Sequence, residues 1–406
     1  MRFLDIAKSV ILTLFFLSGC NTGEKEKQIE TDNHAKPVII DITQIKETNS
    51  PLKLSRFADS ISYIRLSDDD FLIKAFSAKI KIVEDALFIF DYFGVYKFNL
   101  QGKFLKKLVD GSNAQAYALS STAFNKKENY FTLIPTPVNN SYLQNIQNMN
   151  YSLDGVYLGK TERNFDNSYK QIEAYFKDYC LYRMEAVVSP GSQVNRLGPF
   201  LFYAEDIKTD SVVYAYPNPK AEDNYLFRHS SDFAPANMNF ISIDSVLWFK
   251  HFAIDTVYST RDFVAIHPRY IFKTDTSFMN IDEYTQLKNG LLADDKVSSI
   301  NKIWGILPLP ATDEILFTSI NNRIAIADKY GKTTGSTGRT VINDIDKYLK
   351  EVEFSHHLIQ RKFFMENNYL YLLIEANKFF EEGCKPPFMD LTKNSNPVVM
   401  KIKLKT

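Results

Sequence analysis

The sequence predicts an all-β protein: a six-bladed β-propeller of four-stranded antiparallel blades, with small helical insertions. Three observations predict it. The chain carries 32 Phe and 23 Tyr, which lift aromatics to 14%, and such side chains favour pleated, half-buried surfaces. Beyond the first fifty residues it is a series of short β-type runs broken by turn residues, the pattern of a sandwich, barrel or propeller. A hairpin unit then recurs at propeller spacing, which selects among the three.

In VYKFNLQGKFLKKL, Tyr96, Phe98 and Leu100 alternate with Lys97 and Asn99, the chain turns at Gln101-Gly102, and a second strand begins at Phe104. The unit returns as MNYSLDGVYLGKT, turning at Asp154-Gly155, and in looser copies at Thr209-Asp210, near Thr260 and at Gly331. From turn to turn the steps are 53, 55, 50 and 71 residues, close to the repeat of a propeller blade, the longer steps implying insertions. Six more apolar strand pairs accompany these hairpins: KIKIVEDALFIFD, STAFNKKENYFTLI, AYFKDYCLYRM, DSVLWFKHF, EILFTSINN and KFFMENNYLYLLIE. One blade cannot cover both of its own faces, so blades are stable only wedged between neighbours, and closing the ring removes the exposed ends. The last run, VVMKIKLK, alternates apolar residues with Lys401, Lys403 and Lys405, which predicts an outer or edge strand. Two segments read as helical. One opens at Asp282-Glu283 and runs through Leu291 and Leu292; the other places Ile342, Ile345, Leu349 and Val352 at helical spacing in VINDIDKYLKEVEF. Both are expected to buttress apolar surface on one face of the disc.

Across 406 residues, 45% are apolar and 24% charged, so a large core can be buried. Basic and acidic residues balance at 48 each, so no net field draws the chain to polyanions, which argues against nucleic-acid binding.

Residues 1–19, MRFLDIAKSVILTLFFLSG, have Arg2 and Lys8 ahead of an apolar run from Val10 to Leu17. That run is too short for a spanning helix, which needs about 20 apolar residues, and it reads as a signal peptide. Leu17, Ser18, Gly19 and Cys20 match a bacterial lipobox, in which cleavage before Cys20 exposes its amine and its thiol is acylated. Acyl chains contribute about 0.8 kcal/mol per buried methylene, enough together to hold a protein on a membrane. Residues 20–50 are polar and charge-rich and are expected to be a lipidated tether, leaving 51–406 for the propeller. Cys180, in DYCLYR, and Cys384, in EEGCKPP, are expected to be separate thiols. An oxidising compartment would permit a disulfide, but the spacing does not demand one. Neither belongs to a CxxC pair, so redox and zinc signatures are lacking.

These residues resemble a family, the six-bladed β-propeller lipoproteins of Gram-negative bacteria, distantly similar to NHL-repeat propellers. The resemblance rests on FADSISYIRLS, DALFIFDYFGVYKFNLQGKFLKKL, WFKHFAIDTVY, PRYIF and NPVVMKIKLK, and spans most of 50–406. It implies the fold and a place in the cell envelope, and carries no activity or catalytic residue. DGSNAQAYALSS stands where such proteins often have a glycine-rich stretch.

No chemistry-bearing motif survives inspection. Gly331-Lys332-Thr333 lacks the upstream glycine of a phosphate loop, where Ile326 stands, and reads as a hairpin turn. Gly335-Ser336-Thr337-Gly338 is not a nucleophile elbow. None of His34, His229, His251, His267, His356 and His357 forms a metal-binding pair on a helix face, so neither metal nor cofactor is expected. Trp248 and Trp304 are expected in the core. Four Asp-Ser/Thr-aliphatic triplets make Ser60, Ser211, Ser245 and Thr256 candidate acceptors for periplasmic O-glycosylation; the same triplets also simply introduce strands.

The expected function is therefore a non-catalytic binding or scaffolding module. It would be lipid-anchored to the outer membrane and present its loops and central funnel to a glycan, peptide or envelope protein. The alternative is a glycan-active hydrolase or lyase using carboxylates at the propeller mouth, whose residues are adjacent in space and not in sequence.

Overall fold

The computed structural model describes residues 36–405 apart from several connecting segments, the longest being 138–147, 228–237 and 274–302. The lipobox Leu17, Ser18, Gly19 and Cys20, the segment 282–292 and four of the histidines (His34, His229, His356, His357) lie outside the described residues.

Six antiparallel sheets follow one another along Pro37–Thr406 as the blades of a propeller. Blade I consists of Lys79–Val83, Ala86–Asp91, Gly94–Asn99 and Phe104–Asp110. Blade II is built from Tyr117–Asn125, Tyr130–Pro137, Asn148–Ser152 and Tyr157–Thr161. Blade III has Ser168–Phe176, Tyr179–Val188, Phe200–Asp206 and Val212–Pro217, with the short strands Asn195–Leu197 and Leu226–Phe227 added at one end. Blade IV uses Met238–Ile243, Val246–His251, Thr256–Thr260 and Ile266–Lys273, and blade V uses Ile303–Leu309, Glu314–Ser319, Ile324–Ala327 and Thr333–Ser336. Blade VI takes Phe364–Glu366, Tyr369–Ile374 and Val398–Leu404 from the end of the chain and Ala58–Arg65 from its beginning.

The apolar strand pairs of the sequence are the inner two strands of each blade. The second strand is covered on both faces by neighbouring blades, which is why Ala86–Asp91 is buried at every position and reads as a continuous apolar run. Packing occurs between blades, and each of the six hydrophobic clusters bridges one consecutive pair. Phe88, Phe90, Phe124 and Phe131 fill the space between blades I and II. Phe202, Phe249 and Phe263 do so between III and IV. Among the described residues the II–III cluster is the smallest, with Ala123, Ile172 and Cys180 as its buried members.

Ring closure corrects one expectation. Val398–Leu404 is not an edge strand: Ala58–Arg65 pairs along it, Ile61 opposite Ile402 and Tyr63 opposite Met400, and covers it from outside. Lys401 is accommodated by rings of the neighbouring strand, its Nζ lying 4.0 Å from the Tyr369 centroid. Asn396, 1% exposed, locks the closure. Its Oδ1 accepts from Ile73 N at 2.9 Å, and its Nδ2 donates to Ser67 O at 2.9 Å and Phe71 O at 3.3 Å.

A second correction concerns the tether. Val38–Asp41 adds to blade IV as a fifth strand, parallel to Ile266–Lys273, with Val38 opposite Tyr270 and Asp41 opposite Lys273. Glu47–Thr48 then adds in parallel to the outer strand of blade V, and Lys53 bridges to Ile342. Among the described residues the packed chain thus begins at Val38, before the expected boundary at residue 51. Ile40 and Ile42 are buried in the IV–V cluster, and this burial outweighs the polar composition around them.

A third correction concerns VINDIDKYLKEVEF, which is a two-stranded hairpin of Thr340–Ile342 and Glu351–Glu353. Asn343 Oδ1 accepts from the backbone of Ile345 and Asp346 at 3.2 and 3.3 Å, and Asp346 Oδ1 from Tyr348 N at 2.9 Å. These side-chain bonds offer the backbone turns in place of a helix. Of the residues at helical spacing, Leu349 and Val352 are buried in the V–VI cluster and Ile345 packs against it. Among the described residues the helical turns are short 3-10 turns such as Leu54–Arg56 and Ala376–Phe380.

The recurring hairpin turns join the outer two strands of their blades, and glycine there answers a close approach. Gly102 (φ +85°) would place a Cβ 1.9 Å from the Arg65 carbonyl oxygen, and Gly331 (φ +78°) 2.1 Å from that of Ile39. The turn of one blade therefore rests on the outermost strand of the blade before it. The Gly331-Lys332-Thr333 run is the hairpin turn expected, with Asp328 Oδ1 accepting from Lys332 N at 3.0 Å. Cys180 is buried between blades II and III, Cys384 is half-buried, and neither is in a disulfide.

Candidate functional site

The turns linking the first and second strands of the blades gather at one end of the central channel. Around them opens a cavity of about 720 Å³, within the usual range for small-molecule sites, lined from blades I, II, III, IV and VI. The turns are tight and left-handed. Asp244 and Ser245 have φ of 47° and 63°, and Asn367 and Asn368 of 49° and 61°. A two-residue hairpin turn needs two consecutive positive φ values, and Asn and Asp tolerate them best. Blade II has a longer turn, in which Asn125 Oδ1 accepts from Lys127 N and Glu128 N, both at 3.1 Å.

The lining is predominantly basic, with Lys81, Lys126, Lys127 and Lys177 against the carboxylates Glu366 and Asp244. The three turn lysines are engaged by protein acceptors. Lys126 Nζ contacts both oxygens of Glu366 at 2.8 and 2.7 Å, joining blades II and VI across the ring. Lys127 pairs with Asp178 of blade III. Lys177 Nζ donates to the Arg261 carbonyl at 2.7 Å, joining blades III and IV. Lys81 is different. It comes from the innermost strand of blade I, is half-buried, and has its Nζ 4.8 Å from the centroid of Phe364. Burial, with Lys79 and Lys126 nearby, pushes its amine down to about 8, against which Glu366 acts weakly.

The aromatic lining residues are structural. Tyr175 OH lies 3.2 Å from Tyr130 OH and 3.1 Å from Thr132 Oγ1, and burial pushes its phenol upward. Phe124 packs between blades I and II. Apart from Ser245, the sequence singled out none of the lining residues, because the channel is assembled from strands far apart in the chain. The available signal was the run of lysines in the turns NKKEN and FKDY, where other blades have Glu-Asp, Asp-Ser or Asn-Asn.

The candidate glycan acceptors are dispersed. Ser60 is exposed on the outermost strand of blade VI, beside a bulge. Ser211 is exposed in the outer hairpin turn of blade III, its hydroxyl 2.7 Å from Thr209 Oγ1. Thr256 is half-buried on the third strand of blade IV. Ser245 alone of the four lines the channel mouth. Trp248, expected in the core, is half-buried and packs against the IV–V cluster. Among the described residues no group of three His, Cys, Asp or Glu side chains could hold a metal ion. Nor is any described helix long and apolar enough to cross a membrane.

No curated protein sequence matches the chain. Among solved structures it is similar to a protein of Bacteroides fragilis NCTC 9343 described as exported, at 14% identity and a TM-score of 0.59, covering 91% of this chain and 100% of that one. A member of the DUF4221 family from Bacteroides vulgatus aligns over 88% of this chain and 99% of its own, at 11% identity and a TM-score of 0.45. The first likeness is one of fold. By sequence, residues 22–164, which include blades I and II, match the family model described as a domain of unknown function (DUF4933).

Proposed function

We propose that the chain is an exported, non-catalytic binding module of the cell envelope, held to the outer membrane through acylated Cys20, whose channel mouth receives a glycan, a peptide or part of a partner protein. The observation that carries this reading is the cavity of about 720 Å³ lined by residues of five blades, a concave site set on a closed ring. The lipobox and the export of a Bacteroides fragilis protein with the same fold support the compartment. The balanced net charge argues against nucleic acid as the partner.

The hydrolase or lyase alternative needs free carboxylates, with a histidine, converging at the mouth. Among the described lining residues there is no histidine, and both oxygens of Glu366 are held by Lys126. Product analysis on the hits of a glycan and peptide-fragment binding screen tests the reading. Binding without turnover is expected, and turnover of any hit defeats the non-catalytic assignment. Intact mass of the native protein reports at once on acylation of Cys20 and on sugar at Ser60, Ser211, Ser245 or Thr256.

A further inference from the structure

We propose that the channel mouth takes an anionic group, carboxylate or phosphate, of a small ligand, with the Lys81 ammonium as its main contact. The inference rests on the mouth being a ligand site and adds the chemistry it selects.

The lysines at the mouth differ in whether the protein already satisfies them. Lys126, Lys127 and Lys177 each bond a protein oxygen, and the two oxygens of Glu366 are both occupied by Lys126. Lys81 Nζ has the Phe364 ring at 4.8 Å, and among the described residues no oxygen accepts a hydrogen bond from it. Its charged surroundings are Lys79 on its own strand and the ion pair of Lys126 on blade II with Glu366 on blade VI, which leaves an excess of one positive charge around it. A partly buried ammonium without an acceptor is unfavourable, and an anion in the cavity would supply the missing partner. The cavity in front of it is large enough for a sugar-sized molecule.

A pH signature follows. The free site holds Lys81 with its amine lowered to about 8. An anion bound beside it favours the protonated form, so binding takes up a proton and weakens as pH rises above 8. If only the protonated site binds, affinity falls about tenfold between pH 7 and pH 9.

Calorimetric titration of the full mature protein with D-glucuronate, inorganic phosphate and D-glucose tests this. Glucuronate and glucose differ in one carboxylate, and the phosphate arm separates the two anion chemistries. The expected result is binding of at least one anion about tenfold or more above glucose, lost on Lys81→Met and kept on Lys81→Arg, whose charge does not titrate in this range. Lys81→Arg should also flatten the pH dependence, and it keeps the test sharp if Lys81→Met folds poorly. Glucose binding as tightly as glucuronate overturns the inference while leaving the binding-module reading intact. Anion binding indifferent to Lys81→Met, or no anion bound at millimolar concentration, overturns it as well.

Discussion

Ile40 and Ile39 are neighbours on the strand Val38–Asp41 with opposite fates, 0% and 61% exposed. Ile40 faces the IV–V cluster with Val257, Tyr270 and Phe272, while Ile39 points to solvent. Truncation to alanine removes three carbons in each case. At Ile40 the transfer contribution is about 2.4 kcal/mol at 0.8 kcal/mol per carbon, and the cavity left between two blades raises the loss to about 3–4 kcal/mol. At Ile39 the change should stay within about 0.5 kcal/mol. Urea unfolding followed by tryptophan fluorescence measures both, the midpoint falling for Ile40→Ala with an unchanged slope. If the two variants unfold together, residues 38–41 are not part of the packed ring and the strand added to blade IV contributes nothing to its stability.

Three further outcomes follow. Asn396→Ala leaves Ile73 N, Ser67 O and Phe71 O without their bonds, so it should cost at least about 2 kcal/mol and speed amide exchange at Ile73; exchange as slow as in the parent protein would show that the closure does not depend on this side chain. Gly331→Ala meets both a positive φ of 78° and the Ile39 carbonyl, and should lose about 1–2 kcal/mol from the backbone alone while making residues 37–48 more sensitive to protease; unchanged proteolysis would contradict the contact between turn and strand. Lys81→Met should stabilise the protein at pH 7. The folded amine is lowered from 10.5 to about 8, so its penalty is present in full below pH 8 and is relieved as pH rises toward 10.5. The gain, at most about 3 kcal/mol, should shrink over that interval, and a pH-independent gain would assign the effect to packing instead.

The blades were legible in the sequence because each is local. Antiparallel strands joined by short turns leave their pattern within some fifty residues, and the buried second strands, such as ALFIFD, announce themselves as apolar runs. Two of the three failures were non-local. VVMKIKLK looks like an edge until Ala58–Arg65 arrives from the other end of the chain to cover it. Val38–Asp41 looks like tether because its partner, Ile266–Lys273, lies more than two hundred residues away. VINDIDKYLKEVEF has helical spacing, and side-chain bonds from Asn343 and Asp346 decide for a hairpin. The candidate site is the extreme case. Lys81, Lys126, Lys177 and Glu366 are unremarkable charges in four separate hairpins, and only closure of the ring brings them to one cavity and leaves one ammonium without an acceptor among the described residues. Sequence determined the repeating unit, since strand and turn preferences act over a few residues. Tertiary structure decided the ends and the mouth, since the pairing of distant strands is set by burial between blades.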